Sequence, residues 1–167
     1  MKLIDRATHV GLMQVTEADY IVVSKQRRLM YLLNKGQIVR VYSVAFGSGV
    51  LKGPKIQSGD GRTPEGLYFI DGKNSKSKYH LGLHLSYPSQ NDTDFAVKNS
   101  IADPGSDIMI HGFPTDFIDN LNPEVVRQVH PKADWTQGCI AVTDTEIEEV
   151  FAMVKAKVPV EICPLNK

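Results

Sequence analysis

Residues 134–144 read DWTQGCIAVTD: a polar run, a glycine, a cysteine, a short apolar run and a threonine–aspartate pair. This order of residue types dictates local structure. Thr136, Gln137 and Gly138 suit a turn ahead of Cys139, and the turn's backbone N–H groups can face a developing negative charge. The Thr143 hydroxyl can cap a helix while Glu146, three residues on, closes a capping box. Ile147, Val150, Phe151 and Val154 then fall at i, i+3, i+4 and i+7, so one stripe of that helix is buried. Beyond it Val158, Val160 and Ile162 alternate through KVPVEIC as a last strand.

Upstream the pattern is β-rich. From Tyr20 to Phe46, YIVVS, RLMYLL and IVRVYSVAFG read as a hairpin with a turn at Asn34-Lys35-Gly36, because β-branched and aromatic residues suit a pleated surface. Residues 47–66, GSGVLKGPKIQSGDGRTPEG, form a loop dense in glycine and proline, and LYFI after it is a short strand. YHLGLHLS at 79–86 alternates, with Tyr79, Leu81, Leu83 and Leu85 on one face. Ile108-Met109-Ile110-His111 is another short strand, ending at Gly112. Asn122-Pro123-Glu124 starts a short helix whose apolar side comes from Val125, Val126 and Val129. The expectation is one α+β domain over residues 1–167, mostly β, with about two helices.

Composition excludes several function classes. Lysine plus arginine balances aspartate plus glutamate at 19 each, so no net field favours nucleic acid or an anionic membrane. Two cysteines, Cys139 and Cys163, are too few for a disulfide scaffold, and Cys163 reads as a packing residue. MKLIDRATHVGLMQ lacks the apolar core of a signal peptide, and no window approaches a spanning helix. A cytoplasmic location follows if the sequence is native and complete; a trimmed export signal would mean periplasm or cell wall. His80 and His84 on one strand face would stand ~13 Å apart, too far to share a zinc ion. No CxxC or HExxH occurs, and GSG at 47–49 lacks the lysine of a phosphate loop, so no metal or cofactor is expected. Glu146, Glu148 and Glu149 read as a solvated helix face.

A thiol beside a histidine is a minimal nucleophilic apparatus, since an unassisted cysteine with a pKa of about 8.5 is little ionised near neutrality. From its local context Cys139 stands open between a nucleophile and a small buried hydrophobe. His111, His80, His84 and His130 are its candidate bases.

The hairpin, GDGRTPEGLYFI, IMIHG and DWTQGCIAVTD, in that order from about Tyr20 to Pro164, resemble the L,D-transpeptidase catalytic domain, or YkuD, family. The resemblance implies a YkuD-like β-sandwich or mixed sheets. It also implies cleavage of peptidoglycan stem peptides at the L,D bond between the third residue and D-alanine. Carried over by motif, Cys139 is the nucleophile, His111 its base and Gly112 the group whose carbonyl orients that base. Backbone N–H groups of Gly138 and Cys139 form the oxyanion hole, and Gln137, Thr136, His84 and Arg62 are substrate-binding candidates. Gln137 replaces the family's usual histidine, while Ala141 and Asp144 replace an arginine and an asparagine taken to touch substrate. Cys139 follows His111 by 28 residues, longer than the common motif, so residues 112–133 read as an insertion, either a flap over the cleft or a surface segment with no role. With no export signal read, the expected activity is an L,D-carboxypeptidase acting on soluble muropeptides or precursors. An exported cross-linking transpeptidase and an inactive peptidoglycan-binding module are the alternatives.

Overall fold

A computed structural model describes residues 14–165, and the reading of the extreme N-terminus therefore lies outside the described residues. Eight strands are present among these residues: β1 (Tyr20–Ser24), β2 (Leu29–Asn34), β3 (Gln37–Ser43), β4 (Gly66–Ser77), β5 (His80–Leu85), β6 (Met109–His111), β7 (Ile140–Ala141) and β8 (Pro159–Cys163). They form one sheet in the order β3-β2-β1-β8-β4-β5-β6-β7. The β1–β8 and β6–β7 pairs are parallel, and the other pairs are antiparallel. Three helices accompany them: α1 (Gln90–Lys98), α2 (Pro123–Val129) and α3 (Asp144–Met153). None is long and apolar enough to cross a membrane.

The apolar alternation explains the sheet. Ile21 and Val23 of β1, Met30 and Leu32 of β2, Leu83 and Leu85 of β5, and Val160 and Ile162 of β8 all point into the main core. The LYFI segment is only the start of β4, a 12-residue strand. Its first part pairs with β8 and its second with β5, with register shifts after Ile70 and Asn74. One strand thus carries both halves of the sheet. α3 begins as its sequence dictates: the Thr143 side chain accepts from the Glu146 N–H, and the Glu146 carboxylate accepts from the Thr143 N–H. Ile147, Val150 and Met153 are buried beneath it, and full burial of such side chains contributes on the order of 1.5–3 kcal/mol each.

Four expectations change. A third helix, α1, is present. It buries only Ala96, so no apolar stripe marks it, although Ser89 and Asp92 form a capping box at its start. In α2, Asn122 caps and Pro123 opens the helix, but Val126 alone is buried while Val125 is exposed. The acidic run of α3 is bonded: Glu149 accepts from Arg40 and from Tyr42 Oη at 2.7 Å, and Glu148 pairs with His80 at 2.8 Å. Cys163 is half-buried on the outward face of β8, and both cysteines are free.

Lys25, in the β1–β2 turn, is a buried cation that secures the glycine-rich loop. Its ammonium donates to the Thr63 carbonyl and to Glu65 Oε1 at 2.9 Å. Thr63 Oγ1 in turn accepts the Gly47 N–H at 3.0 Å, closing the loop on itself. Removing Lys25 leaves the Glu65 carboxylate half-desolvated and unpaired, so Lys25→Met should cost ~3 kcal/mol in denaturant unfolding. Thr143→Ala, which removes a helix cap, should cost ~1 kcal/mol. A smaller loss for Lys25→Met than for Thr143→Ala would contradict this ranking.

Candidate active site

The site is built on the β6–β7 pair. Ile110 lies opposite Ile140 and His111 opposite Ala141. Ile110 and Ile140 enter the main core, so Met109, His111, Cys139 and Ala141 belong to the other face, because side chains alternate along a strand. One step back in the register, the Met109 N–H points at Cys139 Sγ at 3.4 Å, and the thiol donates to the Asp107 carbonyl at 3.5 Å. Cys139 and His111 are therefore diagonal neighbours on one face. Two strands ~4.8 Å apart and a two-residue step give roughly 8 Å between their Cα atoms, a span that a thiol and an imidazole cover.

His111 is held from both ends. Its Nδ1 lies 2.7 Å from the Gly112 carbonyl oxygen, which can only accept. The proton is thereby fixed on Nδ1, and Nε2 is left as the basic nitrogen. The Tyr79 ring lies against the imidazole, centroids 4.2 Å apart, and Trp135 meets it edge-on at 5.7 Å. Phe113 and His130 complete the aromatic cluster, with Trp135 Nε1 donating to His130 Nδ1 at 3.4 Å. Burial in this cluster lowers the His111 pKa to about 4; the Gly112 hydrogen bond opposes the shift and His130 adds to it. Burial likewise raises the Cys139 thiol to about 11, with Asp107 adding to the shift while the Met109 N–H and Lys55 oppose it. Near neutrality the pair rests as thiol and neutral imidazole.

The turn before the cysteine is a closed unit. Thr136 Oγ1 donates to the Cys139 carbonyl at 2.7 Å and accepts the Gly138 N–H at 3.1 Å. Gly138 sits at φ +136, where a Cβ would meet the Arg62 carbonyl oxygen at 2.7 Å. Only glycine fits that approach. Asp134 secures the other side, pairing with Arg28 and accepting the Phe46 N–H at 2.9 Å.

The expected residues therefore separate into groups. Cys139, His111 and Gly112 come together. The Gly138 N–H is already engaged by Thr136 Oγ1 at 3.1 Å, so of the two N–H groups expected to form an oxyanion hole it is committed to the turn. Thr136 is buried, and its hydroxyl is engaged within the turn by the Cys139 carbonyl and the Gly138 N–H. Gln137 is exposed beside the cysteine. His84 is half-exposed and pairs with Asp71 at 2.5 Å, its other nitrogen lying 3.6 Å from Asp107. Arg62 lies against the turn through its carbonyl, and its Nε is buried without a partner. His130 belongs to the aromatic wall and His80 to the Glu148 pair. Residues 112–133 pack against the His111 side through Phe113, Leu121 and Val126, and Tyr79 Oη donates to Asp119 at 2.9 Å.

Sequence reasoning missed Asp144. Its Oδ1 accepts the Phe113 N–H at 2.8 Å, tying the start of α3 to the backbone just after His111. The capping box located the start of α3, but no local signal points across 31 residues to Phe113. It also missed Tyr79 and Trp135 as walls of the histidine, since aromatic residues at a strand edge signal only burial. Thr136→Val should cost about 1–3 kcal/mol in unfolding and slow alkylation of Cys139, because it orphans the buried Gly138 N–H. Gln137→Ala should leave stability unchanged. Equal stability of the two variants would remove Thr136 as the staple of the turn.

Residues 18–162 match the L,D-transpeptidase catalytic domain, YkuD. YafK of Escherichia coli is 27% identical over 141 residues, which cover 81% of this chain and 46% of that protein. The chain thus spans about half the length of the curated relatives it matches. Among solved structures, the helical cell shape determining protein Pgp2 from Campylobacter jejuni superposes with a TM-score of 0.59 at 22% identity, covering 95% of this chain and 55% of that one. An L,D-transpeptidase from Mycobacterium smegmatis gives 0.55 at 13% identity, covering 87% and 58%. At those identities the superpositions establish the fold, while the family match extends from the Ala18 bridge to the last strand. The chain belongs to the L,D-transpeptidase catalytic domain family.

Proposed function

We propose that this domain is a cysteine-dependent L,D-carboxypeptidase of peptidoglycan stem peptides, removing the terminal D-alanine from tetrapeptides through a thioester on Cys139. The observation that carries the reading is the same-face placement of Cys139 and His111, with His111 Nδ1 committed to the Gly112 carbonyl. In the first half-reaction, His111 Nε2 takes the thiol proton as sulfur attacks the carbonyl of the third residue. The Cys139 N–H faces the resulting oxyanion. Collapse breaks the C–N bond, and imidazolium returns the proton to the departing amine of D-alanine. In the second half-reaction, His111 deprotonates water, which attacks the thioester and releases the tripeptide and the thiol. Gln137 is a substrate contact beside the nucleophile, with Arg62 and His84 flanking it.

The second half-reaction is read as hydrolysis at a histidine whose ring packs against Tyr79 and Trp135, with Phe113 against Trp135. The substrates in this reading are small soluble muropeptides. The second reading, cross-linking by the amine of another stem, is favoured by the family's description as L,D-transpeptidases. Incubation with a purified tetrapeptide, followed by mass spectrometry, separates them. Free tripeptide and D-alanine are expected, and dimers without tripeptide would replace hydrolysis by cross-linking.

The protonation states give a second test. A thiol raised to about 11 is protonated below that pH, and an imidazole lowered to about 4 is neutral above it. The free protein should therefore show no ultraviolet thiolate absorbance from Cys139 at neutral pH, with absorbance appearing only in strongly alkaline solution. His111→Ala should slow alkylation of Cys139 at neutral pH and approach the native rate in alkali, because the base acts by removing the thiol proton. Equal alkylation of both proteins across that range would remove His111 from the mechanism.

A further inference from the structure

We propose that Asp144 is a positioning residue for His111, acting through a single peptide unit; the inference rests on the Cys139–His111 reading above. The carbonyl of Gly112 and the N–H of Phe113 are the two ends of one planar peptide group. Asp144 Oδ1 accepts the N–H end at 2.8 Å, and His111 Nδ1 donates to the carbonyl end at 2.7 Å. The carboxylate, the peptide and the imidazole thus lie in one hydrogen-bonded chain that leads to the basic Nε2. A carboxylate on the N–H polarises the amide and makes its carbonyl a stronger acceptor, because successive hydrogen bonds reinforce one another at low dielectric. The chain fixes both the tautomer and the ring orientation of His111 without a side-chain acid touching the ring.

Three further contacts make this a built arrangement. The Gly112 N–H donates to the Tyr79 carbonyl at 3.1 Å, so the peptide on the other side of Gly112 is also held. A Cβ on Gly112 would meet Asp144 Oδ1 at 2.7 Å and Ile147 Cγ2 at 3.0 Å, so the carboxylate packs directly on the glycine. Arg127 Nη2, from α2, lies 3.7 Å from Asp144 Oδ2. Asp144 also occupies the first turn of α3, where the helix dipole favours an anion. The inserted segment therefore supplies a counter-charge to the group that orients the base.

The test compares Asp144→Asn, which keeps an acceptor for the Phe113 N–H, with Asp144→Ala, which does not. Outer partners that orient a working histidine in metal sites contribute ~10–100-fold, and a loss of that order is expected here. Asp144→Ala should lower kcat for tetrapeptide hydrolysis by at least roughly ten-fold with KM little changed. It should also slow neutral-pH alkylation of Cys139, with recovery in alkali, while Asp144→Asn stays near the native protein in both readouts. Native kcat and a native alkylation profile in folded Asp144→Ala would overturn the proposal, and so would a raised KM with unchanged kcat, the signature of a substrate contact. His111→Ala is the control: if it leaves the alkylation profile unchanged, the base reading itself fails, whereas an altered His111→Ala profile beside a native Asp144→Ala profile sinks this inference alone. Should Asp144→Ala melt below the assay temperature, hydrogen exchange of the Phe113 amide in the native protein decides. A protected amide supports the bond to Asp144, and an unprotected one contradicts it.

Discussion

Two residue pairs, Ile110 with Ile140 and His111 with Ala141, join strands that lie far apart in the chain, and the site depends on that short parallel contact. Its register decides which residues meet. A slip of β7 by one residue against β6 would turn Ile140 out of the core and bury Cys139 there instead, away from the face that carries His111. So short a pairing cannot be stable by itself; neighbouring structure holds it. β5 pairs with β6 on the other side, the Ala45 backbone bonds to Ala141, and the Val142 N–H donates to the His111 carbonyl at 3.0 Å on the way into α3. Burial of the isoleucines sets the faces, and the capped helix fixes where the strand ends.

The same burial that secures the register also sets the chemistry. His111 is buried, with Tyr79 and Trp135 against its ring, so its charged form is disfavoured, and the partly enclosed thiol is disfavoured as thiolate. The outcome is a neutral thiol beside a neutral imidazole, in place of a preformed ion pair. Part of the aromatic wall comes from the segment between the histidine and the cysteine. Its helix packs Val126 beside Trp135, and Arg127 reaches Asp144. The additional length between His111 and Cys139 is thus tied to the histidine's environment at several points.

Much of this was legible from residue order. Alternation in YHLGLHLS, VPVEI and the Tyr20–Phe46 region placed strands because one face of each is buried, and Thr143 with Glu146 fixed the start of α3. What was illegible depends on contacts between distant segments. That β8 would enter the sheet between β1 and β4 leaves no local trace, since a buried strand reads the same wherever it pairs. α1 escaped because it buries a single alanine and presents no stripe. At the site, motif order pointed to Cys139, His111 and Gly112, which the fold brings together. The bonds of Thr136 and Asp144 to the backbone were not legible, because a polar residue near a nucleophile looks alike in sequence whether its side chain faces the cleft or the backbone. Only their hydrogen bonds to Gly138 and Phe113 decide the matter.

The central claim is that Cys139 carries the acyl group. The most direct measurement is an acid quench of the protein during turnover of a tetrapeptide, followed by intact mass and peptide mapping. The account predicts a single adduct equal to the tripeptide acyl group, mapped to the peptide containing Cys139 and absent from Cys139→Ala. Turnover of the tetrapeptide by Cys139→Ala, or an adduct on any other residue, would contradict it.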